Sequence, residues 1–523
     1  MFHVKHVALT THRHIRRFPV KNLNKESPWN AVFVISLIIT FGVVLWGWIA
    51  PKGFEAAAQG LFNFLIDDFG WLYMVGMTIF VVFPIMLALS SFGKVRLGPE
   101  DSRPEYSTLS WFAMLFSAGM GIGLVFYGVG EPIFHYMQPP FAEPQTAEAA
   151  AQAMRISFFH WGLHPWANYA VLALAMAYFQ FRKNAPGLVS SVFLPLLGEK
   201  GVRGPLGKII DILAIFATIA GVATSLGMGA QQINSGLEYL FNIPYSIRVQ
   251  FFIILIIGII YTGSAVTGID KGIQFISNMN LRIAAFLVVA MFILGPTVSI
   301  IEALLTGIGD YMGSVVRESF HMAPYGGNFK QWMGWWTLFY WAWWIAWAPF
   351  VGSFIARISR GRTIREFVTG VLIVPALGSF TWFAVFGTSA LHLDIAQIAP
   401  EAAQKIIDNI ATGLFEMFSH YPLGMALSLV SVVLISTFFI TSANSATFVL
   451  SMYSTRGNLN PPKMQMAVWG ALQAALAFVL LQSGGLKALQ IASIAVAFPF
   501  AIVMVLACWS LWKALHEDRA ERG

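Results

Sequence analysis

Long apolar runs constrain this chain more than any other feature of its sequence. A run of about 18 or more residues with few charges is long enough to cross a bilayer as a helix. Such runs begin at 31–50 and 71–93 and recur at 108–135, 158–181, 207–236, 249–267, 282–306, 332–356, 365–391, 422–451, 464–482 and 486–512. The sequence therefore predicts an all-α integral membrane protein with twelve transmembrane helices.

Charge is scarce and unevenly distributed along the chain. Only 11% of the 523 residues are charged and 57% are hydrophobic, whereas about a quarter of the residues of a soluble protein are charged. The net charge of +7 does not indicate a nucleic-acid partner, because lysine and arginine concentrate in alternate loops, at 94–103, 182–203, 357–365 and 456–463. The positive-inside rule predicts that these loops and both termini are cytoplasmic, which requires an even number of spans.

Three segments are predicted along the chain. Residues 1–28 are polar and basic, without the apolar region of a signal peptide, and are expected to remain as a cytoplasmic tail. Residues 29–512 form one membrane domain, and 513–523 form a short cytoplasmic tail. The single cysteine, Cys508, excludes an intramolecular disulfide.

The third predicted span carries glycine on alternate residues, Gly119, Gly121 and Gly123, in the stretch SAGMGIGLVFYGVGEP. Two interpretations are open. Small residues four apart often mark a close contact between helices. Alternatively, the helix unwinds here and exposes its backbone to a ligand, which a membrane permits only where the backbone lines a cavity. The motif is not a phosphate-binding loop, because no strand precedes it and no Lys-Ser/Thr pair follows it.

The two halves of the chain share one spacing. Gly121 to Thr218 and Trp344 to Thr441 are both 97 residues apart (218 − 121 and 441 − 344). In the eighth predicted span, Pro349 removes a helical hydrogen bond and is expected to kink or open that helix. A repeat of five spans would place its second copy upside down in the membrane, which is typical of secondary transporters.

Aromatic residues are concentrated in two spans. The eighth contains GWWTLFYWAWWIAWAPF at 334–350, and the fourth opens with FFHWGLHPWANYA at 158–170, where Pro165 is expected to distort the helix. An aromatic belt at the membrane interface is an open interpretation for the fourth span. The run in the eighth span continues for several turns into the membrane, which favours a pocket wall. Indole faces attract quaternary ammonium or sulfonium groups with about 2 kcal/mol or more when water is excluded.

Three polar residues in the apolar segments have modest interpretations. His160 and His164 have a spacing that metal ligands can have, but no third ligand is near, so packing or hydrogen bonding is favoured. Glu131, near the end of the third span, is either an interfacial residue or half of a gating pair. No catalytic triad, zinc motif or carboxylate pair is found, so no catalytic residue is predicted.

Hydroxyl groups cluster in the tenth predicted span, in STFFITSANSATF at 436–448. Serine and threonine within a span usually bond back to the preceding helical turn. Hydroxyls and free carbonyls can also supply the oxygen ligands that a hard cation such as Na⁺ requires. Thr441 and Ser442, opposite the glycine segment, are the candidates for such a site.

Four motifs together give the chain a family resemblance. GMGIGLVFYGVGEP, FFHWGLHPWANY, WAWWIAWAPFVGSFIARISRGRTIREF and TSANSA make it similar to the betaine/choline/carnitine transporters, over about residues 29–512. The resemblance implies a five-plus-five inverted-repeat core in spans three to twelve, two peripheral leading helices, and a homotrimer. It also implies Na⁺ as coupling ion and no other cofactor.

The resemblance also implies roles for individual residues. The aromatic box that binds the substrate would be Trp161, Trp166, Tyr169 and Trp344, with Trp343 and Trp347 further along the permeation path. The glycine segment would contact the substrate through the backbone of Gly119, Met120, Gly121 and Gly123. One sodium site would use the hydroxyls of Thr441 and Ser442 and the carbonyls of Ser117, Met120 and Phe438. A second sodium site would use Thr218 and Phe350.

The sequence departs from the family pattern at informative positions. Gly123 stands where choline carriers tend to have aspartate, so the resemblance implies a zwitterion that brings its own carboxylate. The fifth span lacks the arginine of sodium-independent exchangers, which favours sodium coupling. Val222 replaces the second threonine of the second sodium site, one turn after Thr218, and puts that site in question. Asn444 stands where relatives often carry aspartate, and the long charged tail of osmotically regulated members is missing.

The resulting prediction is a sodium-coupled symporter that imports a zwitterion such as glycine betaine across the bacterial inner membrane by alternating access. Alternatives within transport are exchange of related trimethylammonium compounds, or a carrier for dimethylsulfoniopropionate or ectoine-like solutes. A receptor with a transporter-like core would need a signalling domain, and an enzyme would need catalytic residues. Neither class is favoured.

Overall fold

The computed structural model describes residues 29–119, 121–268 and 270–521. The predicted tail 1–28, Met120 and the end of the C-terminal tail lie outside the described residues. The α-helices are α1 (Ala31–Ile49), α2 (Pro51–Leu89), α3 (Thr108–Gly119), α4 (Ile122–Met137), α5 (Ala147–Trp161), α6 (Leu163–Ala177), α7 (Leu194–Arg203), α8 (Pro205–Phe241), α9 (Ile247–Thr267), α10 (Asp270–Leu294), α11 (Thr297–Ser319), α12 (Asn328–Met333), α13 (Phe339–Ile358), α14 (Ile364–Ile395), α15 (Pro400–Asp408), α16 (Gly413–Ser419), α17 (Gly424–Ser454) and α18 (Lys463–Ala520). The described residues thus form an all-helical membrane protein, as predicted.

Helix starts follow local capping chemistry. Asn30 caps α1, because its side chain accepts hydrogen bonds from the amides of Val32 and Phe33. Thr363 and Glu366 form a reciprocal capping box at the start of α14. Within each long helix the side chains are mostly apolar, and the helix satisfies its own backbone polar groups, as a chain in hydrocarbon must.

Burial separates central from peripheral helices. Over the most apolar 18 residues of each long helix, the buried fraction is 78% for α8 and also 78% for the segment 328–358, which includes α13. The corresponding fractions are 28% for α1, 33% for α9 and 22% for α10. These three helices therefore present apolar surface outward, as lipid-facing helices do. The position of α1 agrees with the predicted peripheral leading helix.

The predicted count of twelve spans is not confirmed by the structure. Nine helices in the described part of the chain are long and apolar enough to span a membrane, or ten if the bent pair α3–α4 is one span. α18 has 58 residues, about 87 Å of helix, and its backbone leaves helical geometry at Gly484 and Gly485, between two predicted spans. The fourth predicted span is divided into α5 and α6, of 15 residues each. The count of twelve and the five-plus-five repeat stay predictions.

The fourth span breaks at Gly162, and the expectation that Pro165 distorts it is wrong. Gly162 has φ −90° and ψ −129°, whereas Pro165 lies in the first turn of α6, where a missing amide hydrogen costs little. The amide of Leu163 donates instead to the Tyr311 hydroxyl at 3.0 Å. A Cβ on residue 162 would lie 2.5 Å from the carbonyl oxygen of Phe158, so glycine is needed here.

Of the two outcomes expected at Pro349, a kink or an opening of the eighth span, the opening is wrong. α13 is continuous, with Pro349 inside it, and irregular winding occurs earlier, in a π-helical turn at Gly334–Leu338. Neighbouring helices support α13 around the proline. The Tyr453 hydroxyl donates to the carbonyl of Pro349 at 2.7 Å, and a Cβ on Gly352 would lie 3.4 Å from the backbone nitrogen of Ala173.

The predicted seventh span, 282–306, has wrong boundaries. Gly295 and Pro296 separate α10 from α11, and the segment that can span a membrane is Gly272–Leu294. Proline disfavours helical geometry in the residue before it, so the chain turns at this pair. The apolar run continues across the turn, and hydropathy alone therefore misses it.

Two loops pair beside the start of α3. The amide of Leu97 donates to the Arg362 carbonyl and the amide of Gly361 donates to the Leu97 carbonyl, each at 2.8 Å. The Arg362 guanidinium lies 4.0 Å from the ring centre of Trp111. Gly361 has φ +82°, and a Cβ there would lie 2.1 Å from the Arg103 carbonyl oxygen. Glycine is therefore required for this pairing.

We expect Gly361→Ala to lower the melting temperature of the purified protein in detergent. Left-handed geometry costs alanine about 1–2 kcal/mol, and the Cβ would also displace the loop that contains Arg103. The matched control is Gly42→Ala in α1, where nothing lies within 4 Å of the added Cβ. Equal melting temperatures for the two variants would contradict the assigned role of Gly361.

Candidate substrate and ion site

A cavity of about 520 Å³ lies among the central helices, within the usual size range of small-molecule sites. It brings together residues from both halves of the chain. The sequence-predicted residues that line it are Ser117, Gly121, Gly123, Trp161, Trp166, Tyr169, Trp343, Trp344, Trp347, Phe350, Phe438, Thr441 and Ser442. Thr218 is not among its lining residues, and the contacts of Gly119 and Met120 lie outside what the structure describes.

Four aromatic side chains form one wall of the cavity. The rings of Trp161 and Trp344 meet edge to face, with centroids 4.8 Å apart and planes at 78°. Tyr169 lies 6.3 Å from Trp344 at 83°, and Trp166 lies 5.7 Å from Tyr169 at 76°. Rings that meet edge to face leave other ring faces free for a further group. The arrangement can therefore surround a quaternary cation with aromatic faces.

Gly123 makes room for the tryptophan next to this wall. The Trp343 ring is stacked on Trp344, with centroids 4.9 Å apart and planes at 20°. A Cβ on Gly123 would lie 2.2 Å from Cη2 of Trp343. Glycine at this position thus has a steric cause, in addition to the substrate preference that the family resemblance implies.

The glycine segment interrupts the third span, as one of its two interpretations predicts. α3 ends at Gly119 and α4 begins at Ile122, and the two parts are bent by 66°. Gly121 is extended, with φ −151° and ψ −174°. The first amide groups of α4 therefore lack helical acceptors at the cavity, where they and the helix dipole favour an anionic group.

Candidate sodium ligands from α3 and α17 line another part of the cavity. Ser117, Phe438, Thr441 and Ser442 all line it. Thr441 Oγ1 lies 2.9 Å from the Thr437 carbonyl oxygen and 3.3 Å from that of Phe438. This is ordinary bonding back to the preceding turn, and it leaves the oxygen lone pairs free to accept. The first sodium site stays a prediction, and its described residues all line the cavity.

The second predicted sodium site is less well assembled. Phe350 lines the cavity, but Thr218 is buried away from it and donates to the Ala214 carbonyl at 2.8 Å. Val222, only 1% exposed, supplies no oxygen from its side chain. Within the described residues, the structure therefore brings only one member of this predicted pair to the cavity.

Sequence reasoning missed a polar face of α10. Gln274, Ser277 and Asn280 line the cavity, and the Asn280 amide lies 3.4 Å from Thr441 Oγ1. Asn280 is 2% exposed, and its Oδ1 has no hydrogen-bond partner among the described residues. The three residues are spaced at three, so they share one helix face. That spacing is the signal that could have found them.

Both histidines of the fourth span make hydrogen bonds, in agreement with their favoured interpretation. His160 Nδ1 lies 2.6 Å from Glu131 Oε1, and its Nε2 lies 2.9 Å from Thr337 Oγ1. His164 Nε2 lies 3.0 Å from Ser319 Oγ. Glu131 is fully buried, so its interfacial interpretation is wrong.

The cavity has one closed and one open end. It follows α13 from Trp344 to Arg357, a rise of about 20 Å. Near Arg357 the side chain of Phe354 is 38% exposed, whereas Trp343 at the other end of the cavity is 2% exposed and Tyr340 beyond it is 0% exposed. The cavity thus opens at the end of α13 that carries Arg357. Arg357 is the one charged side chain among the described lining residues.

An all-helical membrane fold with a broken helix beside a central aromatic cavity is the architecture of a membrane transporter. Comparison with known proteins identifies the family. A family model described as BCCT, betaine/carnitine/choline family transporter, matches residues 31–520. The chain therefore belongs to this family, and it is a transporter and not an enzyme.

Individual relatives are similar over nearly their whole length. The chain is 50% identical to the glycine betaine transporter OpuD of Bacillus subtilis, over 94% of this chain and 95% of the relative. It is 45% identical to a probable glycine betaine transporter of Desulfitobacterium hafniense, over 95% and 99%. It is 44% identical to the ectoine/hydroxyectoine transporter of Virgibacillus pantothenticus, over 96% and 99%.

Proposed function

We propose that this transporter imports a betaine-type zwitterion, with glycine betaine as its first candidate substrate. The observation that carries the proposal is the aromatic wall around Trp344, in a cavity with no acid among its described lining residues. Aromatic faces bind a quaternary ammonium without a counter-charge in the wall. The amide groups at the start of α4 can receive the carboxylate. The names of two relatives support the same substrate.

Ectoine or hydroxyectoine is the second candidate substrate. The relative from Virgibacillus pantothenticus carries that name. Ectoine combines a delocalised cation with a carboxylate, so the same wall and the same amide groups suit it. The sulfonium zwitterion dimethylsulfoniopropionate has the same charge pattern and is the third candidate.

Sodium symport is proposed as the energy source. Ser117, Phe438, Thr441 and Ser442 all line the cavity, and oxygen ligands of this kind suit a hard cation. A neutral zwitterion gains nothing from the membrane potential, whereas each Na⁺ supplies about 2.3 kcal/mol per 100 mV. With Thr218 away from the cavity, we favour coupling through the first site, which supports accumulation of the order of tens of fold.

Alternating access in the bacterial inner membrane completes the proposal. Arg357 belongs to a basic segment, 357–365, that the positive-inside rule places in the cytoplasm. The cavity opens toward Arg357, so the structure corresponds to a cytoplasm-facing state under this assignment. Cytoplasmic termini and a homotrimer remain predictions from the sequence, and a role in osmoprotection is part of this proposal.

The test is uptake of labelled glycine betaine by purified transporter in proteoliposomes. We expect uptake to require an inward Na⁺ gradient and to increase when an inside-negative potential is imposed, because a neutral substrate moves together with a cation. Replacement of Na⁺ by K⁺ serves as the control, with ectoine as a competing substrate in a parallel series.

Two outcomes would contradict the proposal in different ways. Uptake that ignores Na⁺ and depends on preloaded substrate would establish exchange in place of symport. Absence of glycine betaine uptake, together with Na⁺-driven ectoine uptake, would overturn the substrate and retain the coupling mechanism.

A further inference from the structure

A fully buried carboxylate lies directly behind the aromatic wall. Glu131 in α4 is 0% exposed, and its Oε2 accepts the indole N–H of Trp161 at 2.9 Å and the hydroxyl of Tyr340 at 2.5 Å. Trp161 lines the cavity, and Tyr340 is stacked on Trp344, with centroids 5.9 Å apart and planes at 18°. Glu131 is thus connected to the two sides of the aromatic wall without lining the cavity itself.

The partners of Glu131 indicate that it is ionised. The indole N–H of Trp161 can only donate, and the Tyr340 hydroxyl donates to the same oxygen. At the other oxygen, the Thr337 hydroxyl can donate to His160 Nε2, which places the ring hydrogen on Nδ1, facing Glu131. A carboxyl group that faces donors on both oxygens is stabilised as the carboxylate.

A charge in this position acts on the cavity through the rings. A carboxylate that accepts the indole N–H increases the electron density of the Trp161 ring, and cation–π attraction is electrostatic, so the ring face attracts a cation more strongly. The surroundings are apolar, so the field of the charge is weakly screened. The Trp161 ring lies 4.8 Å from the Trp344 ring. The increased electron density of Trp161 and the field of the carboxylate therefore both act close to Trp344, at the centre of the aromatic wall.

We propose that Glu131 determines selectivity for the cationic end of the substrate: through its field and through the indole of Trp161, its charge makes the cavity prefer a quaternary cation to a neutral group of the same shape. The same charge orients a zwitterion with its cation toward Glu131 and its carboxylate away from it. The inference rests on the proposed betaine-type substrate. It assigns Glu131 a positioning and selectivity role behind the residues that touch the substrate.

A metal ion is the competing explanation for this cluster. Ligand atoms of Glu131, His135 and His160 all lie within 4.8 Å of one another. His135 is fully buried, and its Nε2 lies 3.5 Å from Glu131 Oε1 without the geometry of a hydrogen bond. Glu131, however, already accepts from Trp161, Tyr340 and His160, and a metal would compete with those bonds. The hydrogen-bonded arrangement therefore favours a selectivity role.

The experiment compares two probes of one shape in purified transporter at saturating Na⁺. Glycine betaine carries a trimethylammonium group and a carboxylate. The second probe, tert-butylacetate (the 3,3-dimethylbutanoate anion), has the same carboxylate and a neutral carbon atom in place of the ammonium nitrogen. Competition against labelled betaine gives both affinities. In Glu131→Gln, which keeps the shape and removes the charge, we expect betaine affinity to fall about tenfold or more, with tert-butylacetate affinity changed less than about twofold. A purely structural loss would weaken both probes alike.

Tyr340→Phe is the matched control, because it removes one hydrogen bond of Glu131 and retains the charge. Its ratio of betaine to tert-butylacetate affinity should stay within about threefold of the wild-type ratio. A ratio that falls as far as in Glu131→Gln would overturn the proposal in favour of a scaffold role. If Glu131→Gln does not fold, Trp161→Phe is compared with Trp166→Phe. The proposal requires the larger loss of ratio in Trp161→Phe.

The remaining outcomes separate this inference from the proposed function. Wild-type protein that binds neither glycine betaine nor ectoine would overturn the proposed function and this inference with it. Wild-type selectivity that persists in Glu131→Gln would overturn the inference alone. One zinc or other transition-metal ion per purified chain that is lost in Glu131→Gln would also overturn it, because Glu131 would then be a ligand.

Discussion

Replacement of Trp344 by alanine is expected to abolish measurable binding of glycine betaine. Trp344 is the ring on which the aromatic wall is built, since it meets Trp161, Tyr169 and Trp343 at centroid distances of 4.8, 6.3 and 4.9 Å. Loss of one desolvated cation–π face costs about 2 kcal/mol, or about 30-fold in affinity. The three neighbouring rings also lose their common contact, which adds to the loss.

Calorimetric titration of purified protein with glycine betaine measures this effect. The matched control is Trp335→Ala, which removes an indole from the same segment outside the cavity. The Trp335 ring is stacked on Phe62 at 4.2 Å and 19°, and it is not one of the cavity-lining residues. We expect the control to bind betaine normally. Normal affinity in Trp344→Ala would exclude the aromatic cavity as the substrate site.

The sequence predicts the lipid-spanning helices well because hydrocarbon imposes one rule on them. A segment that crosses a bilayer has to satisfy its backbone internally and present apolar side chains, and both demands are visible in the sequence. The predicted span 31–50 corresponds to α1 (Ala31–Ile49), and 422–451 corresponds to α17 (Gly424–Ser454). Neither match required knowledge of the packing around the helix.

Helix breaks are less predictable because they depend on neighbours. Pro349 was expected to kink or open α13, but the helix does not open, because a hydroxyl from Tyr453 and close packing at Gly352 support it. Gly162 breaks the fourth span. The Leu163 amide has no acceptor within the helix at this break, and it donates a hydrogen bond to the Tyr311 hydroxyl instead. The supporting groups come from distant parts of the chain, so the local sequence does not reveal them.

In the candidate site, too, the sequence predicts some residues, whereas others are revealed only by packing. Indoles of the eighth span are recognisable in sequence because their density exceeds what an interfacial belt needs, and the structure places Trp343, Trp344 and Trp347 at the cavity. Asn280 was missed because α10 is mostly lipid-facing, and only packing shows which of its faces turns inward. The buried bonds of Glu131 were missed because its partners lie on α5 and α13, far away in sequence.

Replacement of Thr441 by alanine should raise the Na⁺ concentration needed for half-maximal betaine uptake by about tenfold, which corresponds to about 1.4 kcal/mol. The variant lacks a cavity-lining hydroxyl whose oxygen retains free lone pairs. The Asn280 amide, 3.4 Å from that oxygen, also loses its acceptor. At saturating Na⁺ the affinity for betaine should stay close to wild type, because the aromatic wall is unchanged.

The matched control for the ion site is Thr437→Ala, one turn earlier on α17. Its hydroxyl also bonds back to the helix, to the Val433 carbonyl at 2.8 Å, but Thr437 does not line the cavity. Proteoliposome uptake measured over a range of Na⁺ concentrations distinguishes an ion ligand from a helix-stabilising hydroxyl. Equal Na⁺ dependence in both variants would assign the Thr441 hydroxyl to ordinary helix packing. A shift confined to Thr441→Ala would mean that the same hydroxyl stabilises its helix and binds the coupling ion.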